Sequence, residues 1–449
     1  QLKEFVIIMR GFNKYSFLFL FYFSFIFSAC LKTEFTEQEL TSGTADFSRY
    51  VAVGNSLTQG YQNGGLHNEH NEHDNSYPAI LASQMKLVSP SLNFAQPQVN
   101  GSGSGHLHLA WRNNEIEVIK AYDPNLTPQE NDPDAIGDDP SWVNFADKNL
   151  SYSNLGISGI KLANLCPGGN TSANLNYFFY NVNEYARFLN WGTPSNMVTY
   201  LDHIKASNAT FFTCWLGNND VLGWSTEGGD DGYEAQFNQS FYKLTDVTEF
   251  HDKYDSVLTA FTRMGAKGVC ATIPDVTSIP YFNTVTLEEV DRDVWIVEGP
   301  YSNNPGNVRL ATDEDLILLT AVDSLDAGEG DSPLNPLSHT LVLDKDEKIM
   351  SQNASNAYNT QIKQLAAQYG FPVADMHQFM GELKSGLIFD GVEFDARFVE
   401  GGAFSLDGVH PNNRGYAIIA NKFIETINQY YGSNLPTVEV SNYQGIIFP

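Results

Sequence analysis

Apolar residues in this chain gather into short unbroken runs separated by long amphipathic or polar stretches. Five runs have the length and composition of buried strands: Arg49 to Val53, Leu150 to Leu155, Ala209 to Leu216, Gly268 to Ile273 and Phe371 to Met376. Between them, Pro78 to Met85, Asn196 to Ala206, Thr248 to Met264 and Ser355 to Tyr369 read as amphipathic helices, and Asn413 to Tyr431 follows as the last. Strands alternating with helices predict an α/β domain, a parallel sheet covered on both faces. We place that single domain at residues 47–435, with a tail over residues 436–449.

Two polar inserts interrupt the alternation. Residues 59–148 are rich in Gly, Asn, Asp and His, and residues 280–346 are acidic with several Pro and Gly. Connections of that length are rarely structureless in a compact domain. They are expected to fold over the C-terminal ends of the strands, where α/β sheets bind ligands.

The N-terminus departs from the globular pattern. Tyr15 to Ala29 is almost wholly apolar, follows Arg10 and Lys14, and ends at Phe27-Ser28-Ala29-Cys30. A basic start, a short apolar run and small residues before a cut site describe an export signal, and the run is short for a membrane span. The ending resembles a bacterial lipobox, which implies residues 1–30 as a signal segment and Cys30 as the lipidated residue. Met9 reads as the natural start, and residues 31–46 as a polar tether. The expected location is the cell envelope, on the outer membrane, held there only by the lipid.

Charge narrows the partners. With 53 acidic against 25 basic residues the formal net charge is −28, which would repel nucleic acid, whose binding rests on Lys and Arg. A neutral or cationic substrate fits better. If Cys30 carries lipid, Cys166, Cys214 and Cys270 remain, an odd number without C-x-x-C spacing. Cys214 and Cys270 lie inside apolar runs and read as buried free thiols.

Four segments carry candidate chemistry. Gly54-Asn55-Ser56-Leu57-Thr58 directly follows a strand, which exposes Ser56 on the loop at its C-terminal end. It is not the Gly-x-Ser-x-Gly elbow, since position 58 is Thr. Asn154-Leu155-Gly156-Ile157-Ser158-Gly159 closes the second strand, and Gly159 lets a backbone N–H approach a ligand. Gly217-Asn218-Asn219-Asp220 closes the third, where an Asn amide can donate toward a developing oxyanion. Asp407-Gly408-Val409-His410-Pro411-Asn412 puts an acid and a base on one turn, as an activated Ser requires. Each alone has a bland reading: a helix cap, a Gly/Asn turn, a surface His. Together they would converge on one rim of the sheet.

In this order the four segments resemble the sequence blocks of the SGNH/GDSL hydrolase family, over about Tyr50 to the end of the last helix. The resemblance implies a flavodoxin-like three-layer α/β/α sandwich of about five parallel strands. It also implies Ser56 as nucleophile, His410 as general base and acid, and Asp407 as the group orienting it. The Ser56 and Gly159 N–H groups and the Asn219 amide would form the oxyanion hole. The sequence departs from the family at Asn55, where an Asp usually precedes the Ser. No metal or organic cofactor is required by that chemistry.

Two features lie outside those blocks. His67, His70 and His73 recur every third residue, and His106 and His108 follow a Gly/Ser-rich turn. Imidazole clusters suit transition metals, but this spacing matches no zinc motif, and a solvated loop near the substrate entrance is the expectation. Trp215 and Trp224 flank the third block, with Trp111 and Trp142 in the first insert; aromatics near a shallow site stack on sugars or acyl groups, although core packing is expected for Trp215. The function expected from the sequence is thus an exported serine ester hydrolase acting on an acylated glycan or an acyl or lipid ester. The alternative is a surface lipoprotein that binds glycans on an inactive scaffold of this type.

Overall fold

A computed structural model of the protein describes residues 39–112, 114–120, 152–165, 183–193, 196–232 and 243–449. The apolar segment before Cys30, Cys30 itself, Cys166 and Trp142 lie outside the described residues. Among the described residues no helix is long and apolar enough to cross a membrane.

The central sheet is built from four of the five apolar runs: β1 (Tyr50–Gly54), β2 (Phe211–Trp215), β3 (Lys267–Ala271) and β4 (Val373–Ala374). They lie side by side in chain order, all parallel, with Ala52 opposite Thr213, Thr213 opposite Val269, and Cys270 opposite Val373. Beyond β1, in the place expected of the fifth strand, the chain makes one bridge: the Ala52 N–H donates to Ser153 O (2.8 Å) and the Leu155 N–H to Ala52 O (2.9 Å). With that segment on the outer edge, the second run precedes the first in space. This is the order of flavodoxin-like sheets.

Strand side chains alternate between faces, and both faces are buried. Val51, Val53, Phe212 and Cys214 join one core with Tyr200, Tyr254, Phe261 and Ile362, supplied by helices α3 (Tyr200–Ala206), α5 (Val247–Arg263) and α6 (Lys345–Tyr369). Tyr50, Ala52, Phe211 and Trp215 join a second core with α2 (Tyr77–Val88) and α8 (Asn413–Tyr431). Helix α8 shows why it belongs there: Phe423, Ile424 and Ile427 share one helix face and are fully buried. Each such side chain contributes roughly 1.5–3 kcal/mol. The result is the expected three-layer sandwich.

Differences from the sequence reading have local causes. Helix α3 starts at Tyr200 rather than Asn196, because Thr199 and Asp202 form a reciprocal capping box, while Asn196–Met197 pairs with Gly192–Thr193. Helix α6 starts ten residues earlier than its apolar pattern, at Lys345, where the carboxylate of Asp344 caps the N–H groups of Asp346 and Glu347. The second insert has its own small core of Val294, Ile296, Ile317, Leu325, Leu337 and Val342 around paired short strands. Residues 41–46, read as tether, pack onto the domain: the Thr44 N–H donates to Tyr431 O, and Ala45 is buried. The C-terminal stretch is likewise attached, with Arg414 Nε donating to Tyr443 O and Val440 buried. Cys214 and Cys270 are buried free thiols.

Candidate active site

Strand β1 ends at Gly54, and the chain turns at once into the short helix α1 (Ser56–Gln59). A side chain at Gly54 would strike Thr58 and the Trp215 carbonyl, so only Gly lets the strand turn there. Asn55 caps α1, its Oδ1 accepting from the Leu57 N–H at 3.1 Å. Ser56 therefore sits at the first helical position, just past the C-terminal end of β1.

The second half arrives from residue 405 onward. The Ser405 N–H donates to His410 O (2.7 Å), Phe404 bridges Pro411, and Asn412 accepts from the Arg414 and Gly415 N–H groups to start α8. The Asn412 amide also donates to Gly402 O and Phe404 O, so one side chain fastens the turn to the helix. This turn carries His410 Nε2 to 2.8 Å from Ser56 Oγ, and its Nδ1 to 2.9 Å from Asp407 Oδ2. Residues 354 positions apart in sequence meet in one chain of hydrogen bonds.

Asp407 is ringed by hydrogen-bond donors from the protein. Oδ1 accepts from Ser405 Oγ (3.0 Å) and from the N–H groups of Val409 (2.9 Å) and His410 (2.8 Å), and Oδ2 accepts from the Gly64 N–H (3.0 Å). Burial raises its pKa; the facing His410 and these donors outweigh it and bring the carboxyl down to about 2. An ionised Asp407 can only accept. His410 Nδ1 must then carry the proton, which leaves Nε2 with the lone pair that faces the Ser56 hydroxyl.

Two supports of this geometry come from the first insert, and the sequence reading did not single them out. The Tyr61 ring lies on the His410 imidazole with centroids 4.6 Å apart, and its hydroxyl donates to Gly64 O at 2.6 Å. Burial, with Tyr185 and Asp407 nearby, raises the Tyr61 pKa, so the phenol stays neutral against the imidazole. Asn63 accepts from the Leu406 N–H (3.0 Å), and its own N–H donates to Ser405 Oγ (2.9 Å). No periodicity or motif marks these residues; only the fold brings 61–64 against 405–410. The second insert reaches the same turn, where the Tyr281 N–H donates to Gly408 O (2.9 Å).

The two middle blocks also reach this end of the sheet. Gly159 has φ +81°, a conformation glycine adopts without strain. The loop before it is tied to α1, because Gln59 Oε1 accepts from both the N–H and the hydroxyl of Ser158 at 2.8 and 2.7 Å. Among the described residues no acceptor faces the N–H groups of Ser56 or Gly159. Asn219 opens α4 (Asn219–Thr226), gives one amide hydrogen to Ile160 O (3.0 Å), and lines the same cavity as Ser56 and His410. Asp220, fully buried, accepts from the Leu162 N–H and from Thr245 Oγ1, so the two loops are cross-linked.

That cavity, about 90 Å³, has Ser56 and His410 at its wall. Its lining is otherwise mostly apolar, with Met376, Phe379, Met380 and Leu383 from α7 (Met376–Lys384) and Ile418 and Ile419 from α8. Trp215 lines it from the core, and Trp224 is buried, whereas Trp111 is 62% exposed on a hairpin of the first insert.

The family is decided by sequence and site together. The sequence model of GDSL-like lipases and acylhydrolases matches residues 50–423. The chain belongs to that family. It is an SGNH-type carboxylic ester hydrolase, and the match covers all four blocks, including Asn55 where the family has its Asp. No curated protein matches this acylhydrolase. Among solved structures it is similar to an acetylxylan esterase from Geobacillus stearothermophilus, at 11% identity and a TM-score of 0.37, covering 87% of this chain and 98% of that one. A putative GDSL-like lipase from Parabacteroides merdae matches at 10% identity and a TM-score of 0.34, over 86% and 99%. Likeness at this level does not bear on the substrate.

The histidines of the first insert of this acylhydrolase stand apart from the triad. His67 stacks on His106 (centroids 4.5 Å), and its Nδ1 lies 3.7 Å from the Glu72 carboxylate. His70 Nδ1 is 3.6 Å from Glu72, and His73 Nε2 accepts from the Val99 N–H. Burial lowers the pKa of His67 and brings that of His73 down to about 4. Among the described residues no group of three or more His, Cys, Asp or Glu side chains is placed to hold a metal ion.

Proposed function

We propose that this acylhydrolase cleaves a carboxylic ester through an acyl-enzyme on Ser56. The observation that carries the reading is the continuous Ser56–His410–Asp407 hydrogen-bond chain, at 2.8 and 2.9 Å; an ionised Asp407 that accepts from Nδ1 leaves Nε2 to take the Ser56 proton. His410 Nε2 takes the Ser56 proton as Oγ bonds to the ester carbonyl carbon. The oxyanion is met by the N–H groups of Ser56 and Gly159 and by the second amide hydrogen of Asn219. Collapse breaks the ester C–O bond, and the alcohol leaves with the proton from His410. Water, deprotonated by the same imidazole, then releases the acid and restores the hydroxyl. Neither step calls for a metal or cofactor.

The apolar cavity beside Ser56 favours an acyl chain of several carbons over an acetylated sugar. A sugar ring there would lay unpaired hydroxyls against Met376, Phe379, Met380 and Leu383. Residues 10–30 support export and lipidation at Cys30, which would place the enzyme in the cell envelope. The inactive glycan-binding alternative gains nothing from a complete triad.

The test is turnover of p-nitrophenyl acetate, butyrate and octanoate beside Ser56→Ala, with a fluorophosphonate probe. Octanoate should be the best substrate, and both turnover and labelling should vanish in Ser56→Ala. A wild-type protein that neither turns over any ester nor reacts with the probe would refute the proposal; an acetate preference would remove the acyl-chain part.

A further inference from the structure

The triad comes from two distant stretches of chain, and one residue outside it is joined to each member, directly or through one glycine. Tyr61 stands two residues past α1, and its N–H donates to Ser56 O at 3.1 Å. Its ring lies on the His410 imidazole, with centroids 4.6 Å apart and planes tilted by 49°. Its hydroxyl donates to Gly64 O at 2.6 Å, and the N–H of the same glycine donates to Asp407 Oδ2 at 3.0 Å.

Tyr61 is itself held from several sides. The Tyr416 hydroxyl, from α8, donates to the Tyr61 carbonyl at 2.6 Å. The Tyr185 ring stands nearly perpendicular to the Tyr61 ring, with centroids 5.3 Å apart. Gln59 Nε2 donates in turn to Tyr185 O at 3.0 Å. Gln59 is the last residue of α1, so Tyr185 is moored to the same short helix that Ser56 opens. The ring against His410 is thus fixed relative to the nucleophile.

The imidazole needs such a stop. Its bond to Asp407 holds one ring atom, but the torsion between Cβ and the ring is intrinsically broad. Rotation there moves Nε2 off the line to Ser56 Oγ, and a misplacement of about 1 Å can cost on the order of 10²-fold in rate. A ring packed on the imidazole closes off that rotation on one side. Tyr61 is not among the residues lining the cavity beside Ser56, so its ring is placed to act on the base and not on the acyl chain.

We infer that Tyr61 is a positioning residue for the acyl transfer, its ring holding the His410 imidazole in line between Asp407 and Ser56. This rests on the esterase reading above and adds to it a residue that acts through the general base.

The experiment measures kcat and KM in Tyr61→Phe, Tyr61→Leu and Tyr61→Met, with the p-nitrophenyl ester that wild type turns over fastest. Phenylalanine keeps the ring and loses the hydroxyl bond to Gly64. Leucine and methionine lose both, so the comparison isolates the ring. Tyr61→Phe should keep kcat within about threefold of wild type, the scale of one modest hydrogen bond. Tyr61→Leu should lose on the order of 10²-fold in kcat, with KM within about twofold of wild type. Melting temperatures show which variants are folded, and Tyr61→Met serves if leucine is not tolerated. A role in stability alone would lower the melting temperature without separating phenylalanine from leucine in kcat. A folded leucine or methionine variant with wild-type kcat, a phenylalanine variant as slow as they are, or a loss carried by KM would overturn the positioning role and leave the esterase standing. Wild-type protein that turns over no ester and takes no fluorophosphonate label would overturn both.

Discussion

At the residue scale the site depends on Asp407 remaining an acceptor. Its carboxyl, held at about 2 against an ordinary value of 3.8, is ionised at neutral pH. Asp407→Asn keeps the shape but can place an N–H where His410 Nδ1 needs an acceptor, so it invites the wrong tautomer. We expect kcat to fall on the order of 10⁴-fold, with KM little changed, measured on the octanoate ester. The same carboxylate adds to stability, because its folded pKa is depressed. That contribution, about 2 kcal/mol, is present above pH 4 and disappears as pH falls from about 4 to 2. Urea midpoints of wild type should drop across that window, and those of Asp407→Asn should drop less. Ser56, His410 and Asp407 were legible in the sequence because an Asp-x-x-His turn and a post-strand Ser are local patterns. Tyr61, Asn63 and Gly64 were not, since their role exists only across 340 or more positions of chain.

At the element scale α6 holds a buried acid without a full set of partners. Glu347 is fully buried in its first turn, with Gly229 and Gly299 close around the carboxylate. Oε1 accepts from the Tyr301 N–H at 3.2 Å, and Oε2 has no partner among the described residues. Burial, followed by repulsion from Asp344, raises its pKa from 4.5 to about 8. A folded pKa above the unfolded one favours the native state in acid and loses that advantage as pH rises from about 4.5 to 8. Glu347→Gln keeps the neutral form at every pH. Its melting temperature should therefore exceed that of wild type by several degrees at pH 8.5, and the gap should close near pH 5. This helix also shows why the pattern placed its start late. Ser351 and Ser355 face inward, fully buried, and Ser351 Oγ lies 2.7 Å from Ser225 Oγ. A helix that packs through small polar residues shows no apolar stripe to read. Helix α8, with Phe423, Ile424 and Ile427 on one face, was readable to its last residue.

At the scale of the whole molecule, the chain carries 53 acidic and 25 basic residues, while the wall of its cavity is mostly apolar. The long-range field should then sort the surfaces on which an ester is presented, while the cavity sorts the ester. We expect hydrolysis of a vesicle-borne ester to be several-fold slower on anionic than on zwitterionic vesicles at low salt. The difference should shrink at 0.5 M NaCl, where screening is strong. Equal rates at low salt would show that the acidic surface lies away from the approach. The layered fold was legible because a buried parallel sheet announces itself as short apolar runs. The inserts' contribution was not, because polar loops gain their positions from hydrogen bonds to partners that the sequence does not mark.

The Gly64 N–H that ends on Asp407 makes the catalytic turn joint property of two distant stretches of chain. Residues 405–412 are not a portable cassette. A designer who grafted that turn onto another scaffold would carry over the acid and the base but leave behind part of what orients them. Recombination between relatives faces the same constraint: a crossover between positions 64 and 405 inherits a working triad only when both parents solved the junction alike.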